Sequence, residues 1–167
     1  MSENILRIAV CDDLAQDRKM MISLLSEYLD KNNICARIDD YESGEAFLSS
    51  DTASYLLVFL DIFMDGINGM ETAKHLISQN DRVQVVFSST SPDFAVEAFN
   101  ISALHYLVKP LEREKLFAVL HKFFENYYHV RTVSVKVGRL EEDIYLNDII
   151  WAEAKGKKTI LYLKKGK

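Results

Sequence analysis

Residues Tyr55 to Leu60 run Tyr-Leu-Leu-Val-Phe-Leu, apolar at every position, and Asp61 follows at once. A half-exposed strand alternates polar and apolar side chains, whereas a strand without a polar face must be covered on both sides. The segment therefore calls for a sheet sandwiched between layers of other structure. Helices are what the flanking sequence offers.

Short apolar runs alternate with longer amphipathic ones over the first 130 residues. Ile5–Cys11 reads as a buried strand, and Leu14–Asp30 as a helix with Met20, Met21, Leu24, Leu25, Tyr28 and Leu29 at helical spacing. Ile34–Ile38 is a more polar strand. Ser43 is placed to cap a short helix through Ala46, Phe47 and Leu48. After the Tyr55–Leu60 strand come a helix over Met70–Ile77 and a strand over Val83–Phe87. A helix over Pro92–Asn100, a strand over Leu104–Val108 and a helix with Leu116, Val119, Leu120, Phe123 and Tyr127 on one face complete the series. Five strand-then-helix units predict an α/β fold with a parallel sheet, doubly wound. Ligands in such folds gather beyond the carboxyl ends of the strands.

After Tyr128 the pattern changes. Thr132–Val137 alternates, Gly138-Arg139 makes a turn, and Ile144–Leu146, Ile149–Ala154 and Thr159–Leu163 are further strand candidates. Asn147-Asp148 and Lys155–Lys158 separate them. Residues 1–130 carry 11 Lys or Arg against 20 Asp or Glu, while residues 131–167 carry 9 against 5. An acidic body followed by a basic, β-rich segment predicts two units with different partners. Trp151 is expected to anchor the core of the second.

No apolar run approaches the ~20 residues that cross a bilayer. Met1-Ser2-Glu3-Asn4 does not begin a secretory leader, so the expected location is the cytoplasm, with no membrane partner. Cys11 and Cys35 both fall in apolar segments and are expected as buried free thiols. His75, His105, His121 and His129 lack metal-ligand spacing and read as structural or surface residues.

The strand ends carry the chemistry. Asp12-Asp13, Asp61, Ser88-Ser89-Thr90 and Lys109 should all reach one rim of the sheet. Two unit charges ~4 Å apart repel by roughly 1–4 kcal/mol, so three aspartates there require a cation. A hard divalent ion with open positions for water and phosphate, Mg²⁺, suits such a donor set. Taken alone, Asp12-Asp13 reads more readily as a helix cap than as a metal site. Asp61 tips the balance, because a carboxylate at the end of an apolar strand is a competent nucleophile toward a phosphoryl group. Lys109 and Ser89 are the available donors to its oxygens.

These residues carry a resemblance. Cys11-Asp12-Asp13, Phe59-Leu60-Asp61-Ile62, Gly66 and Gly69, Ser89, and Tyr106-Leu107-Val108-Lys109-Pro110 resemble the motifs of a CheY-like receiver domain over residues 5 to about 128. The resemblance implies strand order 2-1-3-4-5, Asp61 as phosphoacceptor and Mg²⁺ held by Asp12, Asp13, Asp61 and the Phe63 carbonyl. It implies Lys109 and Ser89 on the phosphoryl group, Ser89 and Tyr106 as switch residues and a cis Lys109-Pro110 bond. The partners implied are a sensor histidine kinase and, on phosphorylation, a second copy of the chain. Residues 132–163, above all Ile149–Ala154, resemble the start of a LytTR-type DNA-binding domain. Lys155, Lys157 and Lys158 fall where that family's first DNA-contacting loop would be. The expected organisation is a receiver over 1–130 and an incomplete LytTR portion over 131–167, broken at Lys164-Lys165-Gly166-Lys167.

Two positions depart from the pattern. Asp65 stands where the family usually has Pro, adding charge and loosening a loop, and Thr90 stands where a small residue is usual. Altered kinetics are expected. Two other readings compete: an Asp-nucleophile phosphohydrolase of the haloacid-dehalogenase type, and a phosphorylation-independent interaction module. The first expects a second Asp where this chain has Phe63. The complete rim set speaks against the second.

Overall fold

The computed structural model describes residues 5–128, 132–138, 140–145 and 149–163. His129, Arg139, Leu146, Asn147, Asp148 and Lys164–Lys167 lie outside these. Contacts divide the chain into two units, Met1–Phe123 and Phe124–Lys167.

Five strands of the first unit form one parallel sheet: β1 (Leu6–Cys11), β2 (Ala36–Tyr41), β3 (Leu57–Asp61), β4 (Gln84–Ser89) and β5 (His105–Val108). Their order is β2-β1-β3-β4-β5, as expected. The connecting helices are α1 (Ala15–Lys31), α2 (Gly44–Leu48), α3 (Gly69–Gln79), α4 (Ala95–Asn100) and α5 (Arg113–Asn126). Every residue of β3 is buried, which its unbroken apolar run requires. Phe47, Tyr55, Phe59, Phe87 and Phe123 are the bulkiest fully buried side chains.

Three elements start two or more residues later than the apolar pattern suggests: β3 begins at Leu57 rather than Tyr55, and β2 and α4 are late as well. The end of α1 uses Ile34, whose N–H donates to the Leu29 carbonyl at 2.9 Å, so β2 begins at Ala36. The strand then runs on through Asp39-Asp40-Tyr41, because Asp39 is satisfied: Arg7 Nη2 reaches it at 2.7 Å, Arg37 Nε at 2.7 Å and the Tyr55 hydroxyl at 2.9 Å. Likewise Pro92 precedes α4: its carbonyl accepts from Ala95 N, and Ser91 Oγ accepts from Asp93 N. Tyr127 falls beyond the end of α5 and is exposed, unlike Leu116, Val119, Leu120 and Phe123. Met20 is exposed as well.

Asp39 supplies a test of the sheet edge. Burial works to raise its carboxyl, but the bonds from Arg7, Tyr55 and Arg37 outweigh it and hold the carboxyl below its ordinary value. Folding thus favours the ionised form, a contribution complete above the unfolded carboxylate range and lost as pH falls through the lower folded value. Asp39→Asn is expected to cost about 1–3 kcal/mol at neutral pH, with the gap narrowing toward about pH 3. Urea unfolding at both pH values checks it. A gap that widens in acid contradicts the assignment.

Cys11 is buried and Cys35 exposed, both free, so only the first matches expectation. Burial pushes the Cys11 thiol up to about 12, leaving it a small inert packing group.

The second unit contains two antiparallel hairpins. The first pairs β6 (Thr132–Val137) with β7 (Leu140–Tyr145), and the second pairs β8 (Ile149–Lys155) with β9 (Lys158–Leu163). Lys155 and Lys158 face each other across the Gly156-Lys157 turn, where Gly156 takes φ +66°. Trp151 is no core anchor. It is 50% exposed and lies flat on Tyr162, with ring centroids 4.2 Å apart.

Candidate phosphoacceptor site

The parallel register brings the strand ends together. Cys11 pairs with Leu60, Asp61 with Ser88, and Ser89 with Val108, so Asp12, Asp61, Ser89 and Lys109 meet at the carboxyl rim. One oxygen from each of Asp12, Asp13 and Asp61 can be chosen so that all three lie within 4.8 Å of one another. Asp12 and Asp61 are each 4% exposed, while Asp13 opens to solvent. This is the convergence expected from the sequence.

Asp12 does not cap α1. The N-cap is Leu14, and Asp12 turns one oxygen back to the Leu14 N–H at 2.9 Å. Its other oxygen meets Lys109 Nζ at 2.7 Å. Arg18 holds the segment from behind: its guanidinium donates to the carbonyls of Asp12 and Asp13 and pairs with Asp40 at 3.0 Å.

Lys109 Nζ touches three carboxylates: Asp12 at 2.7 Å, Asp17 at 2.7 Å and Asp61 at 3.3 Å. Burial works against this ammonium, but Asp12 and Asp17 outweigh it and hold its pKa above the ordinary lysine range. Burial raises the Asp61 carboxyl above its usual value, Lys109 opposes that rise, and Asp12 adds to it. The backbone of Lys109 is fixed by its N–H to the Ser89 carbonyl at 2.7 Å, and Lys109-Pro110 is cis.

The loop after β3 is packed closely. Phe63 N approaches Asp61 Oδ1 at 3.4 Å, while its ring is exposed and meets Phe94 edge-on at 5.5 Å. Asp65 is exposed, Gly66 takes φ +78°, and Glu45 accepts from Ile67 N at 2.7 Å, tying the loop to α2. Asn68 caps α3 through Glu71 N. At α3's first residue, a Cβ on Gly69 would lie 2.0 Å from the Asp61 carbonyl oxygen.

Ser89 is fully buried, and its Oγ accepts from Ser91 N at 3.3 Å; Thr90 is exposed. Tyr106 is turned inward, 9% exposed, with its hydroxyl donating to the Ser91 carbonyl. Lys155, Lys157 and Lys158 belong to the second unit and are exposed around the β8–β9 turn.

Sequence reasoning missed Asp17, Arg18 and Ser91. An Asp in the first turn of a helix ordinarily reads as a complement to the helix dipole. The single available signal was that Asp17 falls in the first turn of the helix that follows Asp12-Asp13.

The donor chemistry fits a hard divalent cation: three carboxylates, two of them buried, converge with one ammonium to offset them.

The chain belongs to the response regulator receiver domain family, whose pattern matches residues 13–121, and with it to two-component signalling. Among curated proteins, it is similar to the sensory transduction protein LytT of Bacillus subtilis, at 32% identity over 121 residues, 71% of this chain and 48% of that one. The positive alginate biosynthesis regulatory protein of Pseudomonas aeruginosa is 38% identical over 78 residues, 47% of this chain and 32% of that one. The chain thus spans about half the length of the first relative and about a third of the second. Among solved structures, response regulator TrrA from Thermotoga maritima, in complex with Mg²⁺-BeF, superposes with TM-score 0.62 at 27% identity, covering 71% of this chain and 98% of that one. The mrkE response regulatory domain of Klebsiella pneumoniae shares the fold, with TM-score 0.62 at 20% identity, 74% of this chain and 98% of that one. No helix among the described residues is long and apolar enough to cross a membrane.

Proposed function

We propose that the chain is a phosphoacceptor that takes a phosphoryl group from a sensor histidine kinase onto Asp61 and thereby controls a DNA-binding output. The observation that carries this reading is the meeting of Asp12, Asp13 and Asp61 within 4.8 Å, with Lys109 3.3 Å from Asp61, in a receiver-family chain. In the transfer step, an Asp61 oxygen bonds to phosphorus while the bond to the donor's imidazole nitrogen breaks, its electron pair leaving with the imidazole. Lys109 and Ser89 donate to the phosphoryl oxygens. Asp12, Asp13, Asp61 and the Phe63 carbonyl would hold Mg²⁺, which when bound would supply the remaining positive charge at the phosphoryl group. The chain acts as an acceptor rather than a turnover enzyme.

Ser89 and Tyr106 serve as the switch pair, and their two states bias a two-state surface that promotes homodimer formation. Residues 1–130 form the receiver, and residues 131–167 are the opening of a LytTR-type domain whose Lys155, Lys157 and Lys158 approach DNA phosphates. Kinship to LytT and the exposure of those lysines support this. The protein is placed in the cytoplasm.

Incubation with acetyl phosphate and Mg²⁺ should add one phosphoryl mass per chain. Borohydride reduces an acyl phosphate to an alcohol and so marks its position, which should be residue 61. No added mass, or a mark on another residue, overturns the proposal.

A further inference from the structure

The three hydrogens of the Lys109 ammonium are shared unequally. Asp12 and Asp17 each stand at 2.7 Å and Asp61 at 3.3 Å, so the residue meant to meet the phosphoryl group is held most tightly by its other neighbours. Asp12 has a second engagement, the N–H of Leu14. Asp17 has none: among the described residues, the contact with Lys109 is the one ion pair or hydrogen bond of its carboxylate. Its side chain is 30% exposed and projects from the first turn of α1, whereas Lys109 follows β5, 92 positions later in the chain. Helix-dipole complementation accounts for an acidic residue at this position. It does not account for a carboxylate that reaches across the rim to a lysine 10% exposed.

We propose that Asp17 is a positioning residue that holds Lys109 back from Asp61 and so restrains phosphoryl transfer. The inference rests on the reading of Asp61 as phosphoacceptor. When a phosphoryl group arrives, its three equatorial oxygens need donors, and Lys109 must turn a hydrogen from a carboxylate to one of them. Asp17 is the partner it gives up, because Asp12 belongs to the carboxylate cluster around Asp61 whereas Asp17 lies outside that cluster, in the first turn of α1. Each approach to Asp61 therefore costs the breaking of a charge-assisted contact. Neutralising Asp17 removes that cost and leaves Lys109 with Asp12 and Asp61.

Asp17→Asn should accept phosphate from acetyl phosphate and Mg²⁺ about three- to tenfold faster than wild type, the range that one such contact commands. Asp17→Glu retains the carboxylate and should stay within about twofold of wild type. The second readout is the Cε–H resonance of Lys109, assigned by its loss in Lys109→Gln. It should shift in Asp17→Asn without donor present and return toward its wild-type position in Asp17→Glu. Faster labelling with an unmoved Lys109 resonance would mean that Asp17 merely repels the anionic donor, and the proposal falls. Labelling of Asp17→Asn at the wild-type rate overturns it equally. A wild type that takes no phosphate at all defeats the phosphoacceptor reading and this inference with it, a result distinct from a labelled wild type that Asp17→Asn merely matches.

Discussion

Asp61→Asn is expected to take up at least about 100-fold less phosphoryl group than wild type and, in the presence of EDTA, to unfold at a higher temperature. The first half follows from chemistry: an amide oxygen carries no charge with which to attack phosphorus. The second follows from burial. Folding buries the Asp61 carboxyl beside Asp12, and its pKa rises despite Lys109. A group whose folded pKa exceeds its unfolded one destabilises the fold when ionised at neutral pH. An amide of the same shape does not. Lys109 is not stranded by the change, because Asp12 and Asp17 still hold it at 2.7 Å each. Replacement of one member of a crowded ionic cluster then gives a gain on the order of 1 kcal/mol, or about 2–4 °C at this chain length. Added Mg²⁺ should reverse the order, since a ligand of the folded state stabilises most the protein that binds it best. Calorimetric scans with EDTA and with Mg²⁺, alongside intact-mass measurement after acetyl phosphate, check both halves. Equal labelling, or a lower midpoint in EDTA, contradicts this account of the rim.

Gly69→Ala is expected to be nearly as damaging to function without touching a charged group. The added methyl would stand 2.0 Å from the Asp61 carbonyl oxygen, 2.8 Å from its carbon and 3.0 Å from Ile62 Cα. All three are backbone atoms and cannot rotate away, so either α3 retreats or the end of β3 shifts. Overpacking of this kind costs about 1–3 kcal/mol. A displacement of about 1 Å at a reacting group costs on the order of 100-fold in rate. Gly138→Ala provides the contrast. Gly138 has φ +68° and nothing within 4 Å of the added carbon, so the variant carries about 1–2 kcal/mol of backbone cost and no steric clash, and should label at the wild-type rate. Urea titration and labelling rates for the two variants separate a steric effect at Asp61 from a general loss of stability. If Gly69→Ala labels like wild type, the close approach of α3 does not position Asp61.

Much of the rim was legible because topology does the assembling. Once β1, β3, β4 and β5 are read as parallel strands of one sheet, Asp12, Asp61, Ser89 and Lys109 must share an edge. The fully apolar Tyr55–Leu60 run required a sheet covered on both faces, while the strand order was implied by the family resemblance. What escaped depended on side-chain reach rather than on periodicity. Asp17 and Arg18 sit on a helix whose pattern reports only which face is buried, not that one would cross to Lys109 and the other bind two carbonyls. The start of β2 was misplaced because Ile34 serves the end of α1, and because Asp39 finds three donors that make a polar residue cheap in an edge strand. Trp151 misled through its size. A large ring usually means a core, yet here it finds its partner across a two-stranded ribbon, in Tyr162.

Ser91 gives the β4–α4 segment a property that neither neighbour has alone. Its N–H is claimed by Ser89 Oγ and its carbonyl by the Tyr106 hydroxyl, so the two peptide groups flanking one residue serve two latches. Should the Ser89 hydroxyl swing to an oxygen on Asp61, the Ser91 N–H loses its acceptor and the segment is free to move. The carbonyl that keeps Tyr106 turned inward then moves with it. News of an event at the rim would reach an aromatic ring through a single residue, without any helix having to travel.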